Sequence, residues 1–101
     1  MTWVDLGRQP DDAEELREVQ VGSRHVALAA VGRAWVAFDP WCPHAECPLT
    51  DGWLEGTAVR CACHAGLFDL ETGVALAGPT DEPLRLFPTR LVDGRLEVDL
   101  P

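Results

Sequence analysis

The sequence contains no lysine and no tyrosine, and no apolar run in it is long enough to span a membrane. All eight basic residues are arginine, set against seventeen carboxylates, and the net charge of −9 argues against electrostatic binding to nucleic acid or anionic lipid. The opening Met1-Thr2-Trp3-Val4-Asp5 has no basic segment followed by an apolar one, so it does not read as an export signal. The expected location is the cytoplasm. Also missing are a glycine-rich nucleotide loop, a nucleophile beside a plausible base, an internal repeat and a long helix. Catalysis by the chain itself is therefore not expected. With 101 residues, 47% apolar and 25% charged, one globular domain is expected, small enough that a bound metal group would matter to its stability.

What is present is concentrated. Cys42-Pro43-His44-Ala45-Glu46-Cys47 and Cys61-Ala62-Cys63-His64-Ala65-Gly66 hold all four cysteines and two of the three histidines. Each segment offers a thiolate and an imidazole, and residues 45–60 between them can form a hairpin that brings the two face to face. This pattern reads as a metal site. A structural zinc site could use two cysteines and two histidines, although the one-residue gap between Cys42 and His44 is not the usual zinc-finger spacing. A cluster held by all four cysteines would need Cys61 and Cys63 to serve together and would leave both histidines without purpose. Metal content separates these readings. His25, outside the motif, reads as a surface strand residue.

The rest of the chain reads as short strands and turns. Strands are expected at Thr2–Leu6, Leu16–Val21, His25–Val31, Ala34–Phe38, Ala58–Arg60, Leu67–Leu70, Val74–Leu76 and Leu84–Thr89, with a last strand at Arg95–Leu100 whose Leu96, Val98 and Leu100 share the buried face. Gly22-Ser23, Gly32-Arg33, Glu71-Thr72-Gly73 and Asp93-Gly94 supply the turns, and Gln9-Pro10-Asp11-Asp12 reads as a turn or helix start. Gly52 and Gly56 read as turn positions between the two metal segments. Asp11, Asp12, Glu14, Glu15 and Glu18 form an acidic cluster that reads as a solvated loop. The fold class is all-β.

The order Cys-x-His, spacer, Cys-x-x-His resembles the signature of Rieske [2Fe–2S] proteins, in which one iron takes two cysteines and the other two histidines. The resemblance implies one cluster of that type, with Cys42 and Cys61 on one iron and His44 and His64 on the other. Imidazole leaves its iron more electron-poor than thiolate does, so the electron arrives on the histidine side and the potential rises, to roughly −150 to +300 mV against about −400 mV for plant-type clusters. Phe68-Asp69-Leu70, Thr72-Gly73, Gly78-Pro79, Pro83-Leu84 and Asp93-Gly94 stand where soluble Rieske ferredoxins place similar residues. They imply an antiparallel β-sandwich base with a smaller cluster-binding subdomain at about residues 41–80, in which Gly78-Pro79 forms a proline loop. By the same resemblance His44 and His64 turn their second ring nitrogen outward as the electron exit, and Trp41, Pro43 and Pro79 line the rim.

Two features depart from the commoner pattern, in opposite directions. Cys47 and Cys63 resemble the disulfide pair that ties the ligand loops of respiratory Rieske proteins, a bond that many soluble ferredoxins lack. Gly66 and Phe68 stand where the respiratory proteins carry a serine and a tyrosine, whose hydroxyls bond to sulfur and raise the potential. Their absence implies a low potential for the class. That is similar to the ferredoxins of aromatic-ring-hydroxylating dioxygenases, which serve aromatic hydrocarbon catabolism by passing electrons from a flavin-dependent reductase to a terminal oxygenase. The acidic charge suits a basic docking patch on such a partner. The alternatives are a small subunit of an assimilatory nitrite reductase and a subunit of a respiratory or oxidase-type complex.

Overall fold

A computed structural model describes residues 2–8, 16–31, 34–41, 47–63, 66–78 and 82–101. Its strands are β1 (Thr2–Arg8), β2 (Leu16–Val21), β3 (Arg24–Val31), β4 (Ala34–Phe38), β5 (Trp53–Glu55), β6 (Ala58–Arg60), β7 (Leu67–Asp69), β8 (Ala75–Ala77), β9 (Leu86–Phe87), β10 (Thr89–Val92) and β11 (Arg95–Leu100), with one short 3-10 turn at Leu49–Asp51. They form three sheets in the orders β1-β11-β10, β2-β3-β4-β9 and β5-β6-β7-β8. Every recorded pairing is antiparallel.

The sheet containing β3 is the middle layer. Val26, Ala27, Leu28 and Ala29 are all buried, which a strand covered on only one face would not allow. Because successive side chains alternate, Val26 and Leu28 join Ala37, Phe87, Leu96, Val98 and Leu100 in one core. Ala27 and Ala29 join Phe38, Leu49, Val59, Cys61, Phe68 and Leu70 in the other. The first core closes against β1-β11-β10, and the second closes against β5-β6-β7-β8. The two alanines are small enough to let the third sheet approach closely.

Most of the expected strands form, and the exceptions have local causes. β1 runs two residues beyond Leu6, with an irregular register between Asp5 and Arg8 where Gly7 takes a positive φ of 96°. The single strand expected over Leu84–Thr89 is divided. Only Leu86 and Phe87 pair with β4, and from Thr89 onward the chain pairs with β11 instead. Pro88 lies at the division, lacks an N–H, and accepts a 2.9 Å bond from the Asp99 N–H through its carbonyl. β5 was not expected at all, since Gly52 and Gly56 leave only three residues between them. Asp93 and Gly94 have φ of 52° and 78°, as a tight two-residue hairpin turn requires. Leu96, Val98 and Leu100 share the buried face of β11, as their alternation predicts. The turn or helix start at residues 9–12, the tip at Gly32-Arg33 and the acidic cluster except Glu18 lie outside the described residues.

Candidate metal centre

Each of the two cysteine-histidine segments is closed at its base by described residues. For the first, Trp41 and Pro48 form an antiparallel bridge, and the Leu49 N–H donates to the Pro40 carbonyl at 2.6 Å. Residues 42–46 lie between these fixed points. For the second, the Cys61 N–H donates to the Gly66 carbonyl at 2.7 Å, which closes the segment containing Cys63 and His64. Cys47 and Cys63 are joined by a disulfide with Cα atoms 6.3 Å apart. This bond ties the end of the first segment to the second.

A third segment meets them through glycine. Gly78 has φ of 116°, and a Cβ there would stand 2.6 Å from the Gly66 Cα, so the chain entering residues 79–81 passes directly against the second loop. A Cβ on Gly66 would in turn lie 3.3 Å from the Phe68 ring. Contact this close requires glycine at Gly78 and favours it at Gly66.

Of the four expected ligands, only Cys61 belongs to the described residues. Cys42, His44 and His64 lie outside them, as do Pro43 and Pro79 of the expected rim. Cys61 is a free thiol with 0% exposure, packed in the same core as Val59 and Phe68. A fully buried free thiol at the root of a closed loop, which the Cys47–Cys63 bond ties to the end of the segment whose sequence includes Cys42 and His44, fits a thiolate-plus-imidazole cluster. His25 is elsewhere. It is exposed on β3, with Nδ1 2.8 Å from Glu18 Oε2. Trp41 is exposed beside the first segment and lines a cleft of about 200 Å³ with Asp39, Glu82, Pro83, Leu84 and Arg85.

One arrangement could not be read from the sequence. Trp53 lies opposite Arg60 in the β5–β6 register, and both reach Glu55. The Trp53 indole N–H donates to Glu55 Oε2 at 2.8 Å, while Arg60 donates through Nε to Oε2 at 2.8 Å and through Nη2 to Oε1 at 2.9 Å. These bonds, from Arg60 first and Trp53 second, hold the Glu55 carboxyl down to a pKa of about 2. A turn-rich stretch with two glycines offered no periodic signal that would pair these residues.

The Rieske [2Fe-2S] domain matches residues 2–88. The chain is 39% identical over 100 residues to the ferredoxin component of the p-cumate 2,3-dioxygenase system of Pseudomonas putida, covering 96% of this chain and 85% of that one. It is 33% identical over 99 residues to the anthranilate 1,2-dioxygenase ferredoxin subunit of Burkholderia cepacia, covering 97% and 92%. Among solved structures it superimposes on the Sphingomonas yanoikuyae B1 ferredoxin with a TM-score of 0.87 at 29% identity, over 99% of this chain and 100% of the other. A chain in the complex of reduced oxygenase and oxidized ferredoxin of carbazole 1,9a-dioxygenase gives a TM-score of 0.85 at 28% identity, over 95% and 91%. The tied loops, the buried thiol and these likenesses agree: the chain belongs to the Rieske [2Fe–2S] family, as a one-electron carrier with a single cluster of that type.

Proposed function

We propose that this chain carries electrons, in the cytoplasm, from a flavin-dependent ferredoxin reductase to the terminal oxygenase of an aromatic-ring-hydroxylating dioxygenase. The observation that carries the reading is likeness over nearly the whole length to ferredoxins named for such systems, at 33% and 39% identity. Cys42 and Cys61 hold one iron and His44 and His64 the other, within a subdomain of about residues 41–80. Bound there, the cluster supplies one reversible electron per cycle. The chain's own residues shape that event. Burial of Cys61 keeps water from its sulfur, the loop closures hold the donors in place, and His44 and His64 form the exit toward the partner.

Gly66 has no side chain and the buried Phe68 ring has no hydroxyl, so neither stabilises the reduced state by hydrogen bonding. A low midpoint for a Rieske centre follows. The Cys47–Cys63 bond is the one observation favouring a respiratory-type assembly, and a redox titration followed by electron paramagnetic resonance decides between the two. A Rieske signal that develops only at negative potential supports the dioxygenase reading, and a clearly positive midpoint overturns it. For the ligands, His64→Ser is expected to abolish the Rieske signal and His25→Ser to leave it unchanged. An unaltered signal in the first variant removes His64 from the site.

A further inference from the structure

The two segments that carry the expected ligands are tied a second time, without sulfur. The first runs out through Cys47 and the 3-10 turn at Leu49–Asp51 into Gly52 and β5, and the second begins where β6 ends, at Arg60-Cys61. Gly52 lies so close to the Arg60 main chain that a Cβ there would collide with the Arg60 carbonyl oxygen. Its φ of −87° is negative, so glycine serves here for room rather than for a left-handed backbone. The residue that closes the turn therefore touches the peptide that leads into Cys61.

Side chains reinforce this contact on the outer face of the third sheet. Trp53 stands opposite Arg60, Arg60 opposite Leu67, and Leu67 opposite Ala77, so these four form one row, while Leu54, Val59, Phe68 and Ala75 face the other way and pack with the core. With Arg60 directed outward, its neighbour Cys61 turns into the core. The Arg60 guanidinium takes both Glu55 oxygens, at 2.8 and 2.9 Å, and the Trp53 N–H adds a third bond to Glu55 Oε2 at 2.8 Å. Such a fork fixes direction as well as distance, which a lysine ammonium cannot do. The Arg60 and Glu55 side chains are 24% and 39% exposed, and a bidentate pair within a network is the kind of surface pair that contributes measurably.

We infer that Glu55 is a positioning residue: through Arg60 and Trp53 it holds the end of the first ligand segment against the start of the second, independently of the Cys47–Cys63 bond. The two ties act in parallel on the same pair of segments. A disulfide opens to two thiols when a dithiol reductant supplies two electrons and two protons, whereas the fork has no redox chemistry. In a reducing compartment the fork is what keeps Cys61 in place. The inference rests on the assignment of Cys61 as an iron ligand under the function proposed above.

The test crosses the two ties in cluster-loaded protein. Glu55→Ala is made alone and together with Cys47→Ser and Cys63→Ser. Visible absorbance follows cluster loss, and the width of the electron paramagnetic resonance signal reports the spread of ligand geometry among molecules that remain folded. Alone, Glu55→Ala is expected to change the rate of loss by less than about twofold. In the double-serine protein it is expected to speed loss by about fivefold and to broaden the Rieske signal. Arg60→Lys, which keeps the charge and loses the fork, is expected to behave like Glu55→Ala. Glu97→Ala removes the 2.7 Å bond to Arg90 on the far sheet and serves as the control, with no effect in either background. Equal factors in both backgrounds overturn the positioning role, as does no effect in either. Faster loss with an unbroadened signal overturns it too, being a matter of stability only. So does failure of the double-serine protein to assemble a cluster, because the fork then does not hold the segments by itself. Cys61→Ala in the otherwise unchanged protein tests the ligand assignment separately: a retained Rieske signal removes Cys61 from the site and the inference with it.

Discussion

The two faces of the middle sheet are built differently. Toward β1-β11-β10, Val26 and Leu28 meet the long register of β11, where Leu96, Val98 and Leu100 repeat every second residue. Toward the loop-bearing sheet, Ala27 and Ala29 meet strands of only three residues, and order comes from cross-links: a disulfide, two loop closures and a glycine-on-glycine contact. The difference teaches where stability and function reside. Both faces bury an apolar core, but only the second adds cross-links between its segments, beside the expected metal site.

That contrast can be broken most directly at the disulfide. Replacing both Cys47 and Cys63 with serine removes a link across 16 residues of sequence, with an expected cost of about 3 kcal/mol. The expected outcome is faster bleaching of the cluster on heating, with the cluster still assembled and the base still folded. Complete failure to take up iron would show that the pair does more than staple the loops. Visible absorbance and far-ultraviolet circular dichroism, followed together, separate these results.

A finer test compares two glycines. Gly78→Ala forces a Cβ against the Gly66 Cα from a φ of 116°, whereas Gly94→Ala at a φ of 78° meets nothing within 4 Å. Each carries backbone strain of about 1–3 kcal/mol. Only Gly78→Ala is expected to speed cluster loss. Equal loss in both variants would mean that the two faces are not independent.

The smallest expected effect is electrostatic. The folded state lowers the Glu55 pKa from 4.5 to about 2, so the stabilisation from its bonds is present above pH 4.5 and fades as pH falls toward 2. Glu55→Gln is expected to flatten that part of the stability profile and to leave it unchanged near neutrality, apart from a constant offset. Denaturant midpoints at pH 6, 4 and 3 provide the check. The partly exposed pair contributes modestly in any case.

Much of this was legible in advance, for definable reasons. β2 and β4 form over the expected residues because alternation and β-branched side chains mark a half-buried strand. The cluster class is legible because metal chemistry restricts both residue type and spacing. β5 was not legible, since three residues between glycines carry no period. The division of Leu84–Thr89 was missed because Pro88 marks a break without saying which sheet receives each half.

By itself, then, the sequence determined the cofactor class, the all-β character and the buried face of β11, since each is written in local patterns of residue type. Tertiary structure alone decided that β3 serves two cores at once, that Gly78 crosses Gly66, and that Trp53, Arg60, Leu67 and Ala77 form one row. Those are relations between segments distant along the chain. They depend on register and layer order, which no single stretch encodes, and a shift of one residue in β5 would turn Trp53 inward and expose Leu54 in its place.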